Sequence, residues 1–157
     1  MNQPRRQLLT LLCLPALLIA FTAQMDAGEP ASTPALQELV NGLKTELGID
    51  AVVSAEIVTT NTLLVSVQRV AGDPGAFRIM FEERFLSSVD PDELKAIVAH
   101  ELGHVWIFTH HPYLQTEHLA NTVAMRAVPR ATLERVYSKV WERQGIKGDL
   151  VRFLGPE

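Results

Sequence analysis

The chain has 157 residues, 47% of them hydrophobic, with a formal net charge of −4. That length suits one domain with an ordinary core, and the absence of any basic stretch excludes nucleic acid as a partner. The only cysteine, Cys13, lies in an N-terminal apolar run, so a mature domain beginning after it contains neither a disulfide nor a cysteine metal site.

Arg5 and Arg6 form a short positive region, and Leu8 to Ala23 is then almost wholly apolar, interrupted by Pro15. The run is short for a membrane span and is followed by small residues, so residues 1–27 read as an export signal cleaved near 23–27. The Arg-Arg-Gln-Leu-Leu stretch resembles a twin-arginine signal. The expectation is a periplasmic or secreted protein, with a retained membrane anchor as the alternative. Residues 28–34 form a polar linker, and 35–157 one domain. Leu36, Leu39, Val40, Leu43 and Leu47 recur at helical spacing, predicting a helix over 34–47 that stops at Gly48. Residues 51–58 and 63–70 are rich in β-branched residues and flank Thr60-Asn61-Thr62, which predicts a hairpin. Residues 71–75 carry a strong turn signal, and a third strand at 76–81 places Phe77, Ile79 and Phe81 on one face.

Asp90 then marks a helix start. Pro91 occupies the first helical position, Glu93 completes a capping box, and Val89 and Leu94 suit a hydrophobic staple. The helix is predicted from 91 to about 109, limited by Pro112. Two more helices follow, over about 115–127 and 130–143, the latter stopped by Gly145. The tail from 146 carries no readable signal.

Residues 100–104 read His-Glu-Leu-Gly-His. Histidines four apart on a helix share a face, so both imidazoles can bind one zinc ion. Glu101 between them is then placed to deprotonate a water activated by the metal. Chance placement of the three fixed residues in a chain this long is on the order of one in a hundred. The surroundings weigh further against chance. From Leu94 to Phe108 ten residues are apolar, and the polar ones are Lys95 and the motif's own three. A helix apolar all round is a buried helix, and burying three ionisable groups there is costly unless something satisfies them.

A catalytic zinc usually has three protein ligands. His110 stands six residues after His104, as in the pattern HExxHxxGxxH, but Ile107 occupies the place of the helix-breaking glycine. On an uninterrupted helix His110 points about 80° from His100, at ~100° per residue. The competing candidate is Glu117 on the following helix, brought back by a turn at Pro112. Glu117 is favoured and His110 kept as the alternative. Four residues after Glu117, Asn121 shares its helix face and suits the role of acceptor for a ligand histidine's second nitrogen.

The stretch Asp-Glu-Leu-Lys-Ala-Ile-Val-Ala-His-Glu-Leu-Gly-His resembles the active-site helix of gluzincin peptidases of the HtpX type. The segment from Glu117 through Asn121 to Pro129 is similar to the ExxAN…P segment of ImmA/IrrE-type peptidases. The resemblance covers about residues 76–130. It implies that Glu117 is the third zinc ligand and that Asn121 supports the site. ImmA/IrrE-type proteins are mostly intracellular, so the export signal departs from that pattern.

The remaining candidates carry less. His111, Tyr113 and His118, together with Tyr137, are candidates for oxyanion or substrate contacts, and the sequence does not choose among them. Gly103 suits close packing beside the motif. The expected architecture is α+β: a minimal zincin-like domain whose small three-stranded sheet packs on the active-site helix and a second, ligand-bearing helix. One strand, 76–81, is expected to form the cleft edge and pair with an extended substrate. The expected function is zinc-dependent hydrolysis of peptide bonds in a peptide or protein substrate. The alternative is a zinc-binding sensor or adaptor without turnover, against which the intact Glu101 argues. Membrane association follows only if the N-terminal segment is retained, and the sequence gives no oligomeric state.

Overall fold

The structure is a computed structural model that describes residues 32–156. The segment expected to be an export signal and most of the expected linker lie outside the described residues. Among the described residues, no helix is long and apolar enough to cross a membrane.

The first helix, α1 (Thr33–Leu47), buries Leu36, Val40, Leu43 and Leu47 and ends on Gly48, whose φ of 69° suits glycine's freedom from a Cβ clash. Three strands follow: β1 (Val52–Val58), β2 (Val65–Val70) and β3 (Asp73–Glu82). Their order is β1-β3-β2, with β1 parallel and β2 antiparallel to β3. The predicted hairpin between the first two strands therefore does not form. β3 is the longest strand and has the most buried residues, with Phe77, Ile79 and Phe81 buried as expected, and it takes the place where both edges of its backbone are paired. Asn61 holds the displaced connection over β3 by donating to Ser66 Oγ at 3.0 Å and to the Met80 carbonyl at 3.1 Å. Of the turn signal at 71–75, Ala71 and Gly72 form the turn between β2 and β3, and Asp73 to Gly75 already belong to β3.

The sheet's two edges differ. On the β1 edge, the Gln37 side chain of α1 donates to the Val53 carbonyl and accepts from Ala55 N–H, both at 2.9 Å, so it covers part of the ladder as a strand would. The β2 edge borders a cleft. The expectation that 76–81 forms the cleft edge is thus corrected: β3 is central, and β2 is the strand with a free edge there.

A short helix, α2 (Glu83–Leu86), absent from the sequence reading, leads to α3 (Pro91–His110). Its start matches the expected capping box, with Asp90 Oδ1 accepting from Glu93 N–H and Glu93 Oε2 accepting from Asp90 N–H, both at 2.9 Å. α3 touches α1, β2, β3 and two later helices, α4 (Glu117–Ala124) and α5 (Arg130–Gln144), which explains why its sequence is apolar on every side. α4 (Glu117–Ala124) is shorter than predicted. Past it the turns tighten to i→i+3 bonds before Pro129, whose ring disfavours helical backbone at Val128. α5 (Arg130–Gln144) and α6 (Leu150–Leu154) complete the fold. The tail, unreadable as sequence, is pinned by Arg130, which donates to the carbonyls of Leu154 and Gly155 at 2.9 and 2.8 Å.

Candidate metal centre

His100 and His104 lie one turn apart on α3, with ring centroids 4.8 Å apart. Glu117 stands at the first position of α4, whose start is set by Thr116, the N-cap that accepts from Leu119 N–H at 3.1 Å. Two side-by-side helices can bring these groups together only if their backbones approach closely. Gly103 allows it, since a Cβ there would come within 2.9 Å of the Ala120 carbonyl carbon and nearer still to its oxygen.

Glu117 Oε2 lies 3.2 Å from His100 Nε2, and Oε1 lies 3.5 Å from His104 Nε2. One ligand atom from each of the three residues falls within 4.8 Å of the others. Donors at two corners of a tetrahedron around an ion held at about 2.0–2.1 Å are separated by roughly 3.3 Å, so the donor set fits such an ion. His110 is not part of this group. Its ring stacks on Trp106 with centroids 4.4 Å apart, and its Nδ1 meets the Trp106 carbonyl at 2.9 Å.

The outer nitrogens are also held. His100 Nδ1 lies 2.8 Å from Asn121 Oδ1. Asn121 Nδ2 donates to Tyr137 Oη at 2.8 Å and to the Phe153 carbonyl at 3.0 Å. A carbonyl only accepts, which fixes the amide's orientation and makes His100 Nδ1 the donor, leaving the Nε2 lone pair for a metal. With its oxygen already accepting from Asn121, Tyr137 directs its own proton at Glu117 Oε2, 3.4 Å away. His104 Nδ1 is 3.2 Å from Gln115 Oε1, and Gln115 Nε2 donates at 3.5 Å to the His104 carbonyl.

Among the protein groups alone, the carboxylates and imidazoles hold one another. Burial pulls His100 down, but its hydrogen bond to Glu117 and the charges of Glu101 and Glu117 outweigh it, so its pKa is raised. Hydrogen bonds from His100 and His104 hold the Glu117 carboxyl well below the usual carboxylate range. Glu101, only 7% exposed, is raised by burial, against the opposing charges of the two histidines. Burial likewise raises the Tyr137 hydroxyl. Glu101 borders the cleft on the same wall as the two histidines, facing β2.

The structure does not bring His111, Tyr113 or His118 to the cleft. His111 ends α3 with its ring against Trp106, and Tyr113 is 98% exposed in the turn that follows. His118 sits one residue after Glu117, about 100° around α4, and faces Gly155. Of the four oxyanion candidates only Tyr137 lines the cleft. Gln115 and the Phe153 carbonyl carried no sequence signal, because neither shares a helical face with the motif.

The sequence profile of peptidase family M48 matches residues 30–154. Comparison with curated proteins returned no match. Among solved structures, the crystal structure of the metallopeptidase zymogen of Pyrococcus abyssi abylysin superposes with a TM-score of 0.50 and 17% identity, over 73% of this chain and 99% of that one. At that identity the likeness is one of fold.

Proposed function

The chain belongs to peptidase family M48 and is a metallopeptidase acting on peptides or proteins, and on that premise we propose that its metal is zinc, held by His100, His104 and Glu117, with Glu101 as the catalytic base. The observation that supports this reading is the convergence of three ligand atoms within 4.8 Å, with His100 tied to Asn121 from behind. Two nitrogens and a carboxylate oxygen are a donor set that suits zinc. When bound, a zinc ion supplies Lewis acidity that acidifies a water molecule and polarises the scissile carbonyl.

Glu101 takes the proton of the attacking water as its oxygen bonds to the carbonyl carbon. It then delivers that proton to the departing amine as the C–N bond breaks. Burial raises the Glu101 carboxyl in the metal-free protein, and a bound dication would pull it back down. Tyr137 and Asn121 keep Glu117 and His100 oriented. The free edge of β2 is where an extended substrate pairs its backbone. The reading also includes export, supported by Arg5-Arg6 and the apolar run to Ala23, with residues 35–157 as the mature catalytic domain.

The test is metal content and peptide hydrolysis of the purified protein and its variants. Wild type is expected to hold one zinc per chain, His100→Ala and Glu117→Ala to lose it, and His110→Ala to keep it. Glu101→Gln is expected to keep the metal and lose turnover. Loss of metal in His110→Ala with retention in Glu117→Ala would overturn the ligand assignment.

A further inference from the structure

A cavity of about 470 Å³ opens beside the cluster. Its polar lining is concentrated at the cluster: His100, Glu101, His104, Gln115, Glu117 and Tyr137. Beyond them its walls are mainly apolar, with Ile97 from α3, Val65 from β2, and Leu133, Val136, Val140 and Trp141 from α5, the other polar members being Ser66 and Gln144. Among the described residues no lysine or arginine lines it, and the carboxylates that do are Glu101 and Glu117.

The wall away from the histidines is fixed. Trp141 lies one turn beyond Tyr137 on α5, and its ring packs against Tyr137 and Phe153 with centroids 5.2 and 5.6 Å apart. The backbone of Gly148 lies so close to the indole that a Cβ there would overlap ring carbons. At the outer end, Gln144 Nε2 reaches the Thr62 carbonyl at 3.5 Å, bridging α5 to the β1–β2 connection. Next to it Leu64 adopts a φ of 68°, strained for a bulky residue, with its side chain buried while Leu63 stays exposed at the cavity rim.

We propose that this cavity is a side-chain subsite that selects one large aliphatic or aromatic substrate residue next to the scissile bond, and that Trp141 sets how large that residue is. The proposal rests on the peptidase reading above and names its substrate class. A charged side chain of either sign entering the apolar part finds no partner there, so it is rejected by lost hydration. A small side chain leaves the apolar walls uncovered. In apolar pockets each methylene changes discrimination by about 10- to 200-fold.

The test separates binding from turnover. Zinc-loaded Glu101→Gln protein is titrated calorimetrically with short peptides that differ at one central residue: alanine, leucine, phenylalanine, lysine or glutamate. Leucine and phenylalanine are expected to bind at least ~10-fold more tightly than alanine, lysine or glutamate. Val136→Phe and Val140→Phe, each added to that protein, fill the cavity at different depths and are expected to bring the leucine-to-alanine ratio toward one with zinc retained. Trp141→Ala is expected to shift the preference from leucine toward phenylalanine. Equal binding of all peptides, no binding, preference for a charged residue, or an unchanged ratio in both filling variants would overturn the subsite. Wild-type turnover is followed in parallel: graded binding without any hydrolysis would overturn the catalytic reading and leave the subsite standing.

Discussion

The two histidines of the cluster sit on one helix face yet are supported in opposite ways. Behind His100 stands Asn121, wholly buried, with all its polar atoms engaged by His100, Tyr137 and the Phe153 backbone. Behind His104 stands Gln115, exposed, in the connection between α3 and α4, with contacts of 3.2 and 3.5 Å. One side of the centre is therefore oriented by core packing and the other by a surface segment. Gly103 produces the difference: where α4 lies tight on α3, Asn121 is enclosed, and before α4 begins there is no such cover. A buried hydrogen bond has no water to replace it, whereas an exposed one does.

The largest effect is expected from abolishing the close approach that creates the contrast. Gly103→Val pushes against the Ala120 backbone, which cannot move aside as a side-chain tip can. Overpacking of this kind costs about 1–3 kcal/mol or more, and it should weaken both halves of the site together. Chemical denaturation and zinc titration of that variant check it, and unchanged stability would break the packing argument.

Asn121→Ala comes next. It removes only the buried support, and metal affinity is expected to fall about 10- to 100-fold. The Phe153 carbonyl and the Tyr137 hydroxyl also lose a partner, so stability drops by about 1–3 kcal/mol. Competition with a chelator measures the first and denaturation the second. Gln115→Ala should lower metal affinity less than Asn121→Ala and leave stability within ~0.5 kcal/mol, because water can take over its contacts. An equal loss in the two variants would erase the comparison.

The smallest effect is in the chelated protein. Glu117 has a depressed pKa, so its contribution is present above its ordinary value of 4.5 and is lost as pH falls through the folded value. His100 has a raised pKa, so its contribution is present below its ordinary value of 6.5 and fades as pH rises through the folded one. The stability difference between chelated wild type and chelated Glu117→Gln is therefore expected to be largest between 4.5 and 6.5 and to shrink on either side. It should be small, since Glu117 is half exposed. A thermal unfolding series against pH with excess chelator reads it.

The amino-acid sequence by itself determined the elements whose signals are local. The capping box at Asp90 and Glu93, the four-residue spacing of His100 and His104, the buried face Phe77-Ile79-Phe81 and the Gly48 and Gly145 stops all depend on neighbours within a turn or two, where spacing and geometry are nearly the same thing. Glu117 and Asn121 could be placed on one face of a helix and assigned to the metal and to a ligand histidine, but which histidine Asn121 supports was not readable from spacing. Which ligand atoms converge, which of the tyrosines and histidines reaches the cleft, and which strand borders it were decided by tertiary structure. β3, the longest strand and the one with the most buried residues, took the central place, where both edges of its backbone are paired. His110 was turned away by a helix that continued to it, and Phe153 reached the metal side through a tail whose only sequence trait was its lack of one. Such contacts join residues tens of positions apart, and the chain encodes them in the shape of packed surfaces, such as the missing Cβ of Gly103, which no spacing rule reads.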